Sequence, residues 1–390
     1  MATIRPRDLL TDDLLAGLGG ATDGAAADIA ALAEAGYLNV ALPPELGGLG
    51  CTLRQAACGQ RRLARHAPRT ALAVSAHLYW TGAAADAQRA GDESVRWILL
   101  EAARGALFAG GHQRAGDDLR FADPGSRCEP DGEGGYRFAE SGILATPTPG
   151  WDWIAVHAVH HPRQRGSSQP GPQSVIAFAG RDTRCTPAFR VARVQRSGAP
   201  ADVFTTGALT WGHSILASVE YSDARRAYNA ALTAYAESAT AAMLITQAPG
   251  MNQAPGINTA PGINTAPGIN TATGINKGAG PRPAGRWPVA EAGATLDAMK
   301  ARIAEITHPW QLLQEPAPDL GGQHLINLHA MRHEVSAGAA SVHELAQGLR
   351  PTPQSMSVPP GSESLGGVSG CHKAGTRSPA VPVQARRRSG

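Results

Sequence analysis

Aromatic residues are scarce, at 5% of the 390 positions, so any aromatic cluster must do much of the core packing with few side chains. Cysteine is scarce too. Cys51, Cys58, Cys128, Cys185 and Cys371 are odd in number, scattered, and never at C-x-x-C spacing. This argues against a disulfide scaffold or a zinc site and fits a reducing cytoplasm. No apolar run approaches the ~18–20 residues that span a bilayer, so no membrane association is expected. The first residues mix Arg5, Arg7, Asp8, Asp12 and Asp13 without the apolar stretch of a secretory signal. An excess of charge is also missing. The formal net charge is +3, and much of it sits in Lys373, Arg377, Arg386, Arg387 and Arg388, which does not make a nucleic-acid surface.

What is present is a chain long enough for two or three domains, 43% hydrophobic and 17% charged, as expected of a globular protein. Its period divides it. Positions 1–105 read as a helical domain. Ala26, Ile29, Ala30, Leu32 and Ala33 make an apolar stripe on a helix capped by Asp23 and ended by Gly36. Tyr37–Leu42 reads as extended, Pro43-Pro44 forbids helix, and Gly47, Gly48 and Gly50 form a tight loop. Thr52 and Gln55 then make a capping box for the next helix. After Pro68, Thr70–Ala90 is apolar on most sides and should be buried; it carries Tyr79 and Trp80. Ser94–Arg104 reads as a further helix.

From Ala106 the pattern changes. Ala106–Ala109, Tyr136–Phe138, Trp153–Val159 and Ser174–Ala179 alternate as strands, and Gly110–Asp118 reads as a polar loop. Positions 106–202 are thus a small β-domain, with little chain between Arg190 and Thr206 for further strands. Helical spacing returns over 203–350, as Val203–Val219, Ser222–Ile245, Pro288–Ile306 and Leu325–Leu349. Between them QAPGMN, QAPGIN, TAPGIN, TAPGIN and TATGIN repeat across 247–276, a Pro/Gly insertion that cannot be helix. Positions 351–390 are rich in Pro, Ser, Gly and Arg and read as a disordered tail. The fold class is α+β, mainly α, with an interrupted C-terminal helical bundle.

The run Gly36, Pro43, Gly47, Gly48, Gly50, followed by a capped amphipathic helix, resembles the acyl-CoA dehydrogenases. Their pattern G-x6-P-x3-G-G-x-G it reproduces. The opening Arg5–Leu15 is similar to an actinobacterial-type branch of that family. The resemblance implies two segments that clasp a flavin. Gly111–Asp118 lies against the family's T-E-P-G-A-G-S-D: Ala115, Gly116 and Asp118 agree, while Gly111 replaces the threonine and Asp117 the serine. Each lost hydroxyl removes a hydrogen bond worth about 1 kcal/mol net, and Asp117 brings negative charge near a pyrophosphate. Ser141–Pro147 lies against K-x-W-I-T-N, with Leu144 for the aromatic and Thr146 keeping the hydroxyl. The implied FAD contacts are therefore Gly111, Gly116, Asp117 and Thr146, and the implied acyl pocket includes Tyr79 and Trp80.

By the same resemblance the activity is α,β-oxidation of an acyl-CoA-type thioester. A carboxylate takes the α-proton, and electrons pass from FAD to a flavoprotein acceptor in a homo-oligomeric enzyme. The family's base sits near Y-E-G-T or early in a bundle helix. Neither pattern occurs, and Glu220 and Glu363 lack its surroundings. Two alternatives follow: a flavin-dependent monooxygenase on the same scaffold, which needs no such base, and a non-enzymatic, degenerate paralogue. His157, His160 and His161 raise a metal reading. Alternation puts His157 and His161 on one strand face with no acid nearby, so surface or loop histidines are expected.

Overall fold

The computed structural model describes residues 4–19, 24–112, 127–132, 136–138, 144–145, 148–161, 173–181, 189–196, 202–247, 286–312 and 322–348. The hexapeptide repeats beyond Gln247, the tail, and Asp23 lie outside these residues. The fold is α+β and mainly α.

Six helices open the chain: α1 (Pro6–Leu9), α2 (Asp12–Gly17), α3 (Gly24–Glu34), α4 (Leu53–His66), α5 (Pro68–Arg89) and α6 (Arg96–Ala103). Their ends follow the local chemistry. The Thr52 hydroxyl accepts from the Gln55 N–H at 3.4 Å, and the Gln55 side chain accepts from the Thr52 N–H at 2.9 Å. Two orphan donors are thereby satisfied at the start of α4. Pro68 opens α5, where its missing N–H costs nothing. Gly36 turns left-handed at φ 74° after α3.

Tyr37–Leu42 is not extended. Tyr37–Asn39 is a 3-10 turn, closed by the Val40 N–H on the Tyr37 carbonyl. The reason lies in the following loop. Gly50 N–H donates to Leu42 O at 2.8 Å and Cys51 N–H to Val40 O at 2.9 Å, which folds the chain back on itself. Gly48 makes that return possible: a Cβ there would stand 2.1 Å from the Leu42 oxygen. Ahead of α6, the expected helix over Ser94–Arg104 begins as a 3-10 turn, Glu93–Val95, capped by Asp92.

Three long helices close the described chain: α7 (Val203–Gln247), α8 (Arg286–Leu312) and α9 (Gly322–Gly348). The two helices expected between 203 and 245 are one helix of 45 residues. Glu220-Tyr221, where the break was expected, holds neither Pro nor Gly, and buried Tyr221 packs in the core instead of turning the chain. Helix α7 lies along α5. Gly82 leaves room for the Trp211 ring, which a Cβ would approach to 2.3 Å, and the Trp211 indole N–H donates to Asp86 at 2.7 Å. Arg302 binds Glu334 at 2.5 Å between α8 and α9, and Tyr228 donates to Val289 O at 3.2 Å between α7 and α8. Among the described residues no helix is long and apolar enough to cross a membrane.

The strands are β1 (Phe108–His112), β2 (Cys128–Pro130), β3 (Tyr136–Phe138), β4 (Leu144–Ala145), β5 (Trp153–His160), β6 (Gln173–Gly180) and β7 (Phe189–Arg196). Five form a sheet in the order β4-β1-β5-β6-β7; β1 and β5 are parallel and the other pairs antiparallel. Gly110 and Gly111, expected to open a loop, are strand residues, because β1 continues until it has paired with both β5 and β4. Strand β7 occupies the stretch where little sheet was expected. One face turns to the helices through Phe108, Trp153, Ala155, Ile176 and Phe178. The other packs Val156, Ala158, Val175 and Ala177 against Cys128 and Phe138 of the β2–β3 hairpin.

The Gly82–Trp211 contact is testable. Gly82→Ala should lower stability by ~1–3 kcal/mol, the cost of forcing a methyl group into a filled interface. Urea unfolding followed by tryptophan fluorescence checks this; an unchanged midpoint would show that α5 and α7 do not approach this closely.

Candidate functional site

Where β1 leaves the helical layer, four interactions fix it. His77 of α5 donates from Nε2 to Leu38 O at 3.0 Å and accepts the Phe108 N–H on Nδ1 at 3.3 Å. Both ring nitrogens are thus used with the ring neutral. Burial pushes His77 down to about 4. The Asp152 carboxylate accepts the Leu107 N–H at 2.8 Å, so the chain enters β1 beside the entrance to β5. Thr148, just after β4, donates to Ala73 O of α5 at 2.7 Å. None of these roles is visible in the periodic pattern. His77 in particular sits inside an apolar run, with no local partner.

The far end of β1 is where the two segments expected to hold flavin meet. Gly111 stands opposite Ala145 in β4 and opposite Val156 in β5, and His112 stands opposite Leu144. The segment beginning at Gly111 and the segment containing Leu144 and Ala145 are therefore hydrogen-bonded neighbours. Gly116, Asp117 and Thr146 lie outside the described residues. Tyr79 and Trp80 are 3% and 4% exposed, in an aromatic cluster at the helix–sheet seam. Trp80 lies 5.1 Å from Phe178 and 6.1 Å from Phe204, and Trp97 lies 5.2 Å from Trp153 and 5.4 Å from Phe178, ring centre to ring centre. The Trp80 indole N–H is buried with no hydrogen-bond partner among the described residues. Gly110 and Gly111 bring no side-chain bulk to β1, which ends at His112.

Two acids of the helical layer are engaged in structure. Glu220 of α7 is bound by Arg332 and, at 2.9 Å, by the Ser336 hydroxyl, both of α9. Asp28, the one buried carboxylate among the described residues, accepts from Gly19 N–H and the Thr70 hydroxyl.

The histidine group is not a loop cluster. His157 lies within β5 and shares a 2.5 Å hydrogen bond with Ser174 of β6. His160 donates to Cys128 O at 3.2 Å on the opposite sheet face, and His161 is exposed beyond the strand end. Among the described residues no three metal-ligating side chains converge.

No protein-family model matches the sequence, and no curated protein matches it. Solved structures do. A nitrososynthase from Micromonospora carbonacea var. africana matches with TM-score 0.57 at 19% identity over 83% of this chain and 78% of that one. The HsaA monooxygenase from M. tuberculosis matches with TM-score 0.56 at 14% identity over 90% and 86%. KijD3, solved with FMN and a dTDP-amino-keto sugar, matches with TM-score 0.53 at 20% identity over 83% and 74%. This chain shares their fold.

Burial of His77 and of His157, the latter also held down to about 4, has a pH consequence. Between about pH 4 and 6.5 the unfolded chain binds protons at these two residues that the folded chain refuses. Stability therefore rises with pH through that window and levels off above it. The penalty is on the order of 3 kcal/mol per histidine at the acid end. Denaturation midpoints from pH 4.5 to 7.5 should show this slope, and His77→Leu should flatten it; an equal slope in that variant would mean His77 titrates normally.

Proposed function

We propose that the protein is a flavin-dependent oxidoreductase, and that monooxygenation is the reaction favoured over acyl-CoA desaturation. The observation that carries the flavin reading is the pairing of Gly111 with Ala145, which joins two segments distant in sequence at one sheet corner. Gly111 and the backbone beside it, Gly116, Asp117 and Thr146 are the proposed cofactor contacts, with FAD or FMN as the ligand. Tyr79 and Trp80 back the substrate side. When bound, the flavin would pass two electrons per turnover to dioxygen in monooxygenation, or accept two from the substrate in desaturation.

The choice between the two reactions turns on the acids. Desaturation needs a carboxylate poised for the proton α to the thioester. Glu220 is committed to Arg332 and Ser336, and its removal from that pair would cost the α7–α9 contact. Monooxygenation makes no such demand, and two of the structural neighbours carry a monooxygenase or nitrososynthase name. Oxidation of an acyl-CoA-type thioester is the second reading, favoured by the Gly36–Gly50 loop. A reductase would serve the first reaction and a flavoprotein acceptor the second; self-association is proposed for either.

Added FMN or FAD should be taken up by the purified protein, quenching its tryptophan fluorescence and shifting the flavin bands. Gly111→Leu should abolish that uptake while leaving the far-ultraviolet circular dichroism intact. Bleaching by acyl-CoA without oxygen would favour desaturation. Bleaching only by a chemical or enzymatic reductant, followed by oxygen consumption, would favour monooxygenation. A protein that takes up neither flavin would be the degenerate, non-enzymatic paralogue.

A further inference from the structure

Helices α7 and α9 run in the same direction, and among the described residues four polar contacts join them like rungs. Thr210 meets His324 at 3.0 Å, and Asp223 meets His343 at 3.3 Å. Between these, His213 meets His329 ring to ring, with centres 4.9 Å apart and planes at 73°, and Glu220 is held by Arg332 and the Ser336 hydroxyl. The spacing is helical. Positions 210, 213, 220 and 223 fall along one stripe of α7, and 329, 332, 336 and 343 along one stripe of α9. A second side of α9 differs in kind. It buries Leu328, Met331, Val335 and Val342, and Gly338 lies against Met299 of α8, where a Cβ would come within 3.0 Å of that side chain. Helix α9 is thus held to α8 by apolar packing, with the Arg302–Glu334 pair at its rim, and to α7 by a polar seam.

Three of the four rungs contain histidine, and they answer a proton differently. His343 gains from one, because Asp223 faces it. At the His213–His329 contact each ring has the other as its neighbour, so charging both sets two cations 4.9 Å apart, with Arg332 one turn further along α9. His213 is 3% exposed. Glu220, two turns along α7, is bound to Arg332 and Ser336. The other elements packed on α7 bring groups that are likewise engaged. Asp86 of α5 is bound by Trp211 and Arg89, Arg54 of α4 lies beside His308 of α8, and Arg302 of α8 lies between Glu305 and Glu334. Burial also holds His324 and His329 below the ordinary imidazole value.

We infer that the α7–α9 seam is a pH-sensitive latch: protonation at the His213–His329 contact in mildly acid solution frees α9 from α7 while the rest of the helical layer stays folded. The sign follows from linkage. A docked seam that binds protons more weakly than a free one loses stability as pH falls below ~6.5, the unperturbed imidazole value, and regains it above. The His343–Asp223 rung opposes this in part. The latch stands apart from the flavin reading.

Hydrogen–deuterium exchange of the full chain at about pH 5 and pH 7.5, read by mass spectrometry and corrected for intrinsic exchange rates, tests it. Between the two, protection of 322–348 should fall on the order of 10-fold further than that of 68–89, the effect of one pKa unit. Helix α5 is the internal measure of global change, since it carries His77. His213→Phe keeps a ring in the contact without its proton and should bring the two falls together. His329→Phe, on the more exposed side of the contact, should do the same, and it decides the matter if His213→Phe does not fold. Equal falls in α5 and α9 of the parent protein, or an undiminished difference in the folded ring variants, overturns the inference.

Discussion

A neutral imidazole in the middle of α5 ties together the three parts of the chain that meet around the site. His77 faces the turn after α3 through Leu38 O and the first residue of β1 through the Phe108 N–H. Its cost is high, since a buried ring kept uncharged holds both nitrogens away from water. The return is that two backbone groups, which would otherwise be unpaired in an apolar layer, are satisfied by one side chain. Because the two bonds require opposite roles of the two nitrogens, they also fix the tautomer. A protonated ring would present a second N–H to another N–H and lose the contact with β1.

From that point the geometry propagates outward. Phe108 starts β1 against α5, Asp152 sets β5 beside it, and Thr148 returns the chain after β4 to Ala73 on the same helix. The sheet corner at Gly111 is thus held from both sides by one helix. That helix is held in turn by the fit of Trp211 over Gly82 and by the bond from Trp211 to Asp86. Helix α7 carries Trp211, and through Glu220 and Thr210 it carries α9 as well, the latter by a 3.0 Å contact with His324. The arrangement is a chain of close approaches, each made where a small residue admits a large one or where a buried polar group finds a single partner.

Much of this was legible in sequence where the cause was local. The Thr52–Gln55 box, Pro68 at a helix start and Gly36 at a helix end depend on residues three or four apart, and they are as expected. Where the cause was distant, the pattern misled. Tyr37–Leu42 has strand-like composition, but the bonds from Gly50 and Cys51 decide its path. Gly110 and Gly111 read as loop because glycine is a poor strand former, and only pairing on both sides of β1 extends the strand through them. No breaker marks Glu220-Tyr221, so the two-helix reading rested on a gap in the apolar pattern that a packed tyrosine fills. Of the candidate site, Gly111 is proposed from family resemblance, and its pairing with Ala145 comes from the sheet register alone. The partnership of His157 with Ser174 depends on β5–β6 register, which a single strand's sequence does not carry.

The distribution of charge and neutrality bears on the chemistry this scaffold can support. Its acids serve as fasteners: Asp28 on Gly19 and Thr70, Asp86 on Trp211 and Arg89, Asp152 on Leu107, Asp202 on the first turn of α7, Glu220 on Arg332. Each is a stabilising partner whose release would leave a donor or cation unmatched in a partly dry place. Glu220, fastened to Arg332 and Ser336, is set aside as a base for that reason. Beside the Gly111–Ala145 pair the described groups are backbone, and the neighbouring β5 adds His157, whose imidazole is held uncharged by burial.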